Sequence, residues 1–159
     1  GFFYESYNAE KLKAFGINYE FVQDNHSKSS YGVLRGLHYQ NNPYAQTKLV
    51  RVTHGKVLDV AVDIRRNSST YLQHFSIELS AENKLQLLIP PGFAHGFVVL
   101  SETCECLYKR DNYYNKSGEG GIAYTDSSLQ IDWRIPANDI VLSEKDQLNP
   151  TVEHANFNF

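Results

Sequence analysis

Two histidines lie in sequence contexts that suit acid–base chemistry. His38 lies in the run GVLRGLHYQ, where strand alternation places it on one face with Leu34 and Gly36. His95 lies in IPPGFAHGF, just after a rigid turn. A polar residue inside an apolar strand needs a partner or a task, and imidazole titrates close to neutral pH. A lone strand histidine is more often a core residue, but the lysine, tyrosines and acidic residues that could join His38 favour its use as a general base.

Two other side chains have the chemistry to complete a proton-transfer site. Lys48, in QTKLVR, can stabilise a developing oxyanion such as an enolate. Tyr108, in CLYKRDNYY, can donate a proton from the side of the substrate opposite the base. Each residue alone also fits a purely structural role. Their combination favours proton abstraction next to a carbonyl group.

The same residues argue against a catalytic metal ion. Metal-binding jelly rolls use a His-x-His pair, but the residue two positions after His38 is Gln40, which is a poor substitute for imidazole. His38 and His95 alone are two ligands, too few for a tight site. Cys104 and Cys106 lack the CxxC spacing of metal or redox pairs, and we interpret them as reduced thiols. We therefore expect no metal and no cofactor.

Several basic residues have the chemistry to bind phosphate groups. They are Arg35, Lys48, Arg51, Lys109 and Arg110. Arginine is suited to bidentate phosphate contacts, and the rings of Tyr113 and Tyr114 offer faces for stacking a base. Ordinary surface charge on edge strands remains an equal explanation for the cations.

These residues are distributed over many short strand-like runs. The runs are INYEFVQ, KLVRVTH, KVLDVAVDI, HFSIELS, LQLLIP, GFVVL and CECLYKR. Gly55 in THGK predicts a hairpin, SYNAEKLKAFG predicts a short helix, and SEKDQ predicts a turn or a brief helical segment. The pattern favours an all-β fold, an antiparallel barrel or sandwich, with a jelly roll as the best match in size.

Length and charge limit the possible domain organisation and the possible binding partners of the protein. The 159 residues predict one domain, 1–159, in which 151–159 form a C-terminal tail. The net charge of -3 predicts no binding of nucleic acid or anionic membrane, and no run approaches the roughly 18 apolar residues of a bilayer span. No secretory signal is visible, which predicts a cytoplasmic protein. The absence of methionine indicates that the natural N-terminus is missing.

Six long motifs then point to one family. They are GFFYESY, FVQDNHSKSSYGVLRGLHYQ, KLVRVTHGKVLDVAVDIRRNSSTY, IELSAENKLQLLIPPGFAHGFVVL, LYKRDNYY and LSEKD. Together they resemble the dTDP-4-dehydrorhamnose 3,5-epimerase family from about residue 1 to residue 150. The resemblance implies a cupin-type jelly roll, a homodimer, no metal, and an isomerase that acts on a dTDP-linked 4-keto-6-deoxyhexose. Such an enzyme inverts C3 and C5 of dTDP-4-dehydro-6-deoxy-D-glucose to give dTDP-4-dehydro-L-rhamnose.

The resemblance also implies roles for individual residues. The implied catalytic residues are His38 as base, Tyr108 as proton donor, Asp146 as carboxylate partner of the base, and Lys48 near the sugar. The implied substrate-binding residues are Glu5, Gln23, Asp24, Asn25, Arg35, His95, Tyr114, Glu119 and Lys145, with Tyr114 stacking on the thymine. The chain has Asn112 within the family's DYY-like motif, but Tyr108 and Tyr114 keep the family's separation.

Three other functions remain open from the sequence. A relative with the same fold can invert only C3 or only C5, or accept a related nucleotide sugar. A non-catalytic sugar-nucleotide-binding jelly roll would keep the phosphate-binding and stacking residues without needing the acid and base. A metal-dependent enzyme of the same fold is disfavoured by Gln40.

Overall fold

The computed structural model describes residues 1–159. The chain folds into nine strands and two short helices. The strands are β1 (Gln23–Ser30), β2 (Leu34–Gln40), β3 (Lys48–His54), β4 (Lys56–Asp63), β5 (His74–Ser80), β6 (Gln86–Ile89), β7 (Phe93–Val99), β8 (Thr103–Arg110) and β9 (Glu119–Gly121). The helices are α1 (Ala9–Ala14) and α2 (Glu144–Gln147), and a 3-10 turn covers Ala137–Asp139. Neither helix has the length and apolar character needed to cross a membrane.

The strands pair into two antiparallel sheets. Sheet I has the order β1-β8-β3-β6, and sheet II has the order β5-β4-β7-β2-β9. Their inner faces pack against each other through a buried cluster. From sheet I it includes Val50, Val52, Ile89, Cys104 and Cys106, and from sheet II it includes Val57, Ala61, Leu79, Phe97 and Val99. This is the two-layer, all-β architecture that the sequence predicts.

The outer face of sheet II is buried as well. Leu34, Leu58, Val60, Val62 and Val98 pack there against Ile122, Leu129, Trp133, Ala155 and Phe157 from the C-terminal part of the chain. Every residue of β4 after Lys56 is therefore buried. Strands covered on both faces become nearly continuous apolar runs, which explains the sequence of β4. Residues 151–159, expected as a tail, place two of their side chains in this core.

The first strand differs from the prediction. The sequence predicts a strand over INYEFVQ, but only its last residue, Gln23, belongs to β1. The strand itself is the polar run QDNHSKSS, which pairs only with β8 and lies at the edge of sheet I. Its burial alternates between half-buried and exposed residues. An edge strand with one exposed face needs little apolar surface, so its sequence lacks the usual strand signal.

An irregularity in β2 places the side chains of Arg35 and His38 on the same side of the strand. Simple alternation predicts Arg35 and His38 on opposite faces, but the pairing register with β7 shifts between them, and both side chains line one cavity. The shift occurs at Gly36, whose φ is +140° and where an added Cβ would lie 2.5 Å from the Cα of Gly96. Two glycines therefore let the strands approach closely where the bulge turns Arg35 toward the site.

Candidate active site

A cavity of about 280 Å³ opens between the two sheets. All four predicted catalytic residues line it: His38, Lys48, Tyr108 and Asp146. Five of the predicted substrate-binding residues line it too: Arg35, His95, Tyr114, Glu119 and Lys145. The structure thus brings together residues that are more than a hundred positions apart in sequence.

His38 and Asp146 form a closely paired dyad. The Nε2 atom of His38 lies 2.5 Å from Oδ1 of Asp146. Asp146 is buried in α2, and its backbone N–H donates to Oγ of the capping Ser143. Burial alone would raise the pKa of Asp146, but the bonds from His38 and Ser143 and the nearby Lys145 charge hold it below its usual value. A carboxylate on Nε2 leaves Nδ1 of the partly exposed ring to take a proton.

Tyr108 reaches the cavity from the other sheet. His38 lies on β2 of sheet II, whereas Tyr108 lies on β8 of sheet I, opposite Val50 of β3. The imidazole and the phenol therefore enter the cavity from facing walls. The phenol oxygen accepts from Nη2 of Arg110 at 3.4 Å.

Lys48 is a buried cation at the start of β3. Its side chain is only 8% exposed, and Nζ donates to the backbone carbonyl of His38 at 3.4 Å. Burial and the neighbouring Arg110 charge lower the pKa of Lys48 from 10.5 to about 7, against the opposing effect of Asp59 and Glu119. Lys48 can therefore hold or release a proton near neutral pH.

A second histidine–carboxylate pair lies at the cavity wall, where His95 lines the cavity and Asp59 is buried behind it. His95 on β7 faces His38 in the strand register, and its Nε2 lies 2.9 and 3.0 Å from the two carboxylate oxygens of Asp59. Both side chains are buried. Burial lowers the pKa of His95, although Asp59 acts in the opposite direction.

A polar cluster marks the mouth of the cavity. Lys145 forms an ion pair with Glu119, and the hydroxyl of Tyr114 donates to Glu119 at 3.0 Å. Burial would raise the pKa of Glu119, but these two bonds and the Lys145 charge lower it. The half-exposed ring of Tyr114 is therefore held at the rim by its own hydroxyl.

Four predicted substrate-binding residues do not line the cavity. Glu5 pairs with Lys11 near α1, and Asp24 pairs with Lys109 on the outer face of sheet I. Gln23 and Asn25 hydrogen-bond to each other, and Oε1 of Gln23 accepts from the backbone N–H of Tyr114. Alternation along β1 separates Asp24 from its two neighbours.

Gln40 has a structural task in this chain. Its amide nitrogen donates to the carbonyls of Tyr44 at 2.6 Å and Tyr113 at 3.2 Å, and its oxygen accepts from the N–H of Asn115 at 2.9 Å. The amide therefore ties two loops beside the cavity. No group of three or more His, Cys, Asp or Glu side chains is placed to hold a metal ion.

Comparison with known proteins decides the family. Residues 1–154 match the family model described as dTDP-4-dehydrorhamnose 3,5-epimerase. The chain belongs to the dTDP-4-dehydrorhamnose 3,5-epimerase family. The resemblance predicted from the six motifs is thereby confirmed, and so is the isomerase class of the family.

Individual relatives of this epimerase family agree. The chain is 56% identical to the dTDP-4-dehydrorhamnose 3,5-epimerase of Shigella flexneri over 147 residues, 92% of this chain and 80% of the relative. A crystal structure of the epimerase from Elizabethkingia anophelis is 58% identical with a TM-score of 0.92, covering 96% of this chain and 84% of that one. A 3,5-epimerase from Legionella pneumophila, solved in complex with dTDP-4-keto-L-rhamnose, is 48% identical with a TM-score of 0.93, covering 97% and 81%. The predicted cupin-type jelly roll is confirmed.

Asp59, through His95, and Arg110 contribute to this site but are not among the site residues that the sequence predicts. Asp59 has a visible signal, because a carboxylate in the middle of the apolar run KVLDVAVDI must have a buried partner. Arg110 was considered only as one of several phosphate-binding cations. Its closeness to Tyr108 follows from their positions two residues apart on one strand, which becomes informative only once the inner face of β8 is known.

Proposed function

We propose that this chain inverts C3 and C5 of dTDP-4-dehydro-6-deoxy-D-glucose to give dTDP-4-dehydro-L-rhamnose. The observation that carries the proposal is the placement of the His38–Asp146 dyad and Tyr108 on facing walls of one cavity. Membership of the epimerase family and the keto-sugar held by the Legionella relative support the same substrate class.

Proton abstraction is the task of the dyad. The C4 ketone acidifies the hydrogens on C3 and C5, and Nδ1 of His38 takes one of them. Asp146 stabilises the imidazolium that forms and keeps the ring in a fixed orientation. The electron pair left on carbon moves to the C4 oxygen, where the protonated Lys48 stabilises the enolate.

Reprotonation from the opposite wall inverts the carbon. The phenol of Tyr108 gives its proton to the face of the enolate opposite His38, so a new C–H bond forms there and the ketone returns. The imidazolium then loses its proton and the phenolate regains one through solvent. A second cycle inverts the other carbon.

The remaining residues bind the nucleotide and its diphosphate. Arg35 and Lys145 supply cations on the cavity wall, and the exposed ring of Tyr114 at the rim stacks on the thymine. His95, held by Asp59, contacts the sugar from sheet II. Glu119, Gln23, Asp24, Asn25 and Glu5 stay predicted substrate contacts, of which only Glu119 lines the cavity of this chain.

We also propose that the protein is a homodimer in the cytoplasm. Phe2, Phe3 and Phe15 of the N-terminal segment are 77, 99 and 81% exposed, and large apolar side chains exposed in this number favour a protein interface. The N-terminal segment lies over the outer face of sheet I, where Gln86 donates to the carbonyl of Ser6. The unbonded thiols Cys104 and Cys106 fit a reducing compartment.

Incubation with the keto-sugar in deuterated water tests the proposed reaction. The expected product carries deuterium at C3 and C5, with both centres inverted by NMR. The matched control is dTDP-glucose, which lacks the ketone and should take up no deuterium. Label and inversion at one carbon would show a single-centre epimerase instead. Binding without any label would show a non-catalytic sugar-nucleotide-binding protein.

A further inference from the structure

Arg110 ends β8 two residues after Tyr108 and has no task in the reaction described above. Because strand residues alternate, both side chains project from the same face, and both line the cavity. The guanidinium carbon lies 5.0 Å from the centre of the Tyr108 ring, and Nη2 lies 3.4 Å from the phenol oxygen. The arginine therefore covers the ring and reaches its hydroxyl.

The charge of Arg110 is not balanced by a direct partner. None of the ion pairs in the structure includes it, and its buried Nε has no hydrogen-bond partner. Its cross-strand neighbours are Gln23 on β1 and Lys48 on β3, an amide and a second cation. A half-buried cation beside another cation is costly unless an anion forms next to it.

The anion that forms next to Arg110 is the phenolate of Tyr108. A guanidinium has only donors, so it donates to the phenol oxygen and leaves the phenolic hydrogen free to point at the substrate. When that O–H bond breaks and the proton forms the new C–H bond, the negative charge stays on the oxygen that Nη2 faces. The stacked ring also limits the rotation of the phenol.

We propose that Arg110 is a positioning residue for Tyr108, which orients the phenol and stabilises the phenolate left after proton delivery. The inference rests on the proposed epimerase reaction and on Tyr108 as its acid. Arg110 acts on only one half of the reaction, the reprotonation by Tyr108. It has no contact with the His38–Asp146 dyad, which carries out the other half, the proton abstraction.

Arg110→Gln tests the inference through its different effects on kcat and on KM. We expect kcat to fall about tenfold, with KM changed by less than about twofold, because one charge-assisted contact to the phenolate is lost. In deuterated water, the substrate recovered from the variant should carry more deuterium per product molecule than with the unaltered enzyme, since abstraction continues while reprotonation slows. Arg110→Lys keeps the charge and should recover part of the lost kcat. Arg66→Gln is the matched control, because Arg66 also stacks on an aromatic ring, Phe157 at 4.6 Å, but on the far side of sheet II.

A double-mutant cycle tests whether the effect of Arg110 depends on the hydroxyl of Tyr108. In a Tyr108→Phe background, Arg110→Gln should change the remaining kcat by less than about twofold. A raised KM with unchanged kcat would overturn the inference in favour of a phosphate contact, and equal losses of labelling and product would show a merely structural role. If Arg110→Gln does not fold, Arg110→Lys in both backgrounds gives the same comparison. A Tyr108→Phe enzyme with full kcat would instead refute the proposed role of Tyr108.

Discussion

Replacing Lys48 by methionine should stabilise the protein while removing its activity. The folded state holds the pKa of Lys48 at about 7, mainly through burial, whereas the unfolded chain has the ordinary value of 10.5. One unit of pKa shift corresponds to about 1.4 kcal/mol. Burying the protonated Lys48 therefore lowers the free energy of unfolding by about 5 kcal/mol below pH 7. A methionine of similar length removes that cost but loses the bond to the carbonyl of His38. We expect a net gain of about 1–4 kcal/mol in the free energy of unfolding at pH 7.

The pH dependence identifies the cause of this gain. Between about pH 7 and 10.5 the unfolded chain binds a proton at Lys48 that the folded protein does not, so the stability of the unaltered protein rises with pH in that window. The advantage of Lys48→Met should therefore shrink by up to about 1.4 kcal/mol per pH unit and vanish between about pH 8 and 10.5, at the lower pH if the gain at pH 7 is small. Urea unfolding of both proteins at pH 7, 8 and 9 measures the difference.

A matched control separates burial from loss of charge. Lys56→Met removes a lysine charge from the next strand along the chain, where the side chain is 47% exposed, and it should not give the stability gain expected of Lys48→Met. If Lys48→Met were less stable than the unaltered protein by the same amount at every pH, Lys48 would be a well-paired cation. The reasoning from burial would then be wrong.

Two other predictions concern the dyad and the rim. Asp146→Asn should lower kcat by about 10²–10⁴-fold with a smaller effect on KM, because the imidazolium of His38 loses its carboxylate. Steady-state kinetics measures both constants, and a loss in kcat under threefold would contradict the prediction. Tyr114→Ala should weaken dTDP binding about tenfold by calorimetry if its ring stacks on the base, whereas Tyr113→Ala, also exposed but outside the cavity lining, should not. Equal effects of the two tyrosine variants would exclude a specific stack.

The strands with strong patterns could be predicted from local sequence. β3, β4 and β8 carry apolar residues on the face that packs between the sheets, and the runs predicted for them match the structure closely. The run GFVVL predicts only the second half of β7, which begins at Phe93. The short helix predicted within SYNAEKLKAFG is present at Ala9–Ala14 and is capped by Asn8. These features depend on neighbouring residues alone, so the sequence contains enough to predict them.

The features that depend on distant partners could not be read locally. β1 is polar because it pairs at a sheet edge, and Arg35 turns into the cavity because β2 and β7 meet at Gly36 and Gly96. The family motifs pointed to the His38–Asp146 pair, but its 2.5 Å contact needs α2 to fold back onto β2. The predicted substrate contact of Glu5 rests on its motif alone, because in this chain Glu5 pairs with Lys11 and does not line the cavity.

Deuterium exchange by a His38→Asn variant tests the central role of the dyad most directly. Asparagine keeps a polar side chain of similar reach but cannot accept the proton from carbon. With the dTDP-linked keto-sugar in deuterated water, we expect label at C3 and C5 to appear at least about 10²-fold more slowly than with the unaltered enzyme, while dTDP binding is retained. Exchange at the unaltered rate would contradict the assignment of His38 as the base.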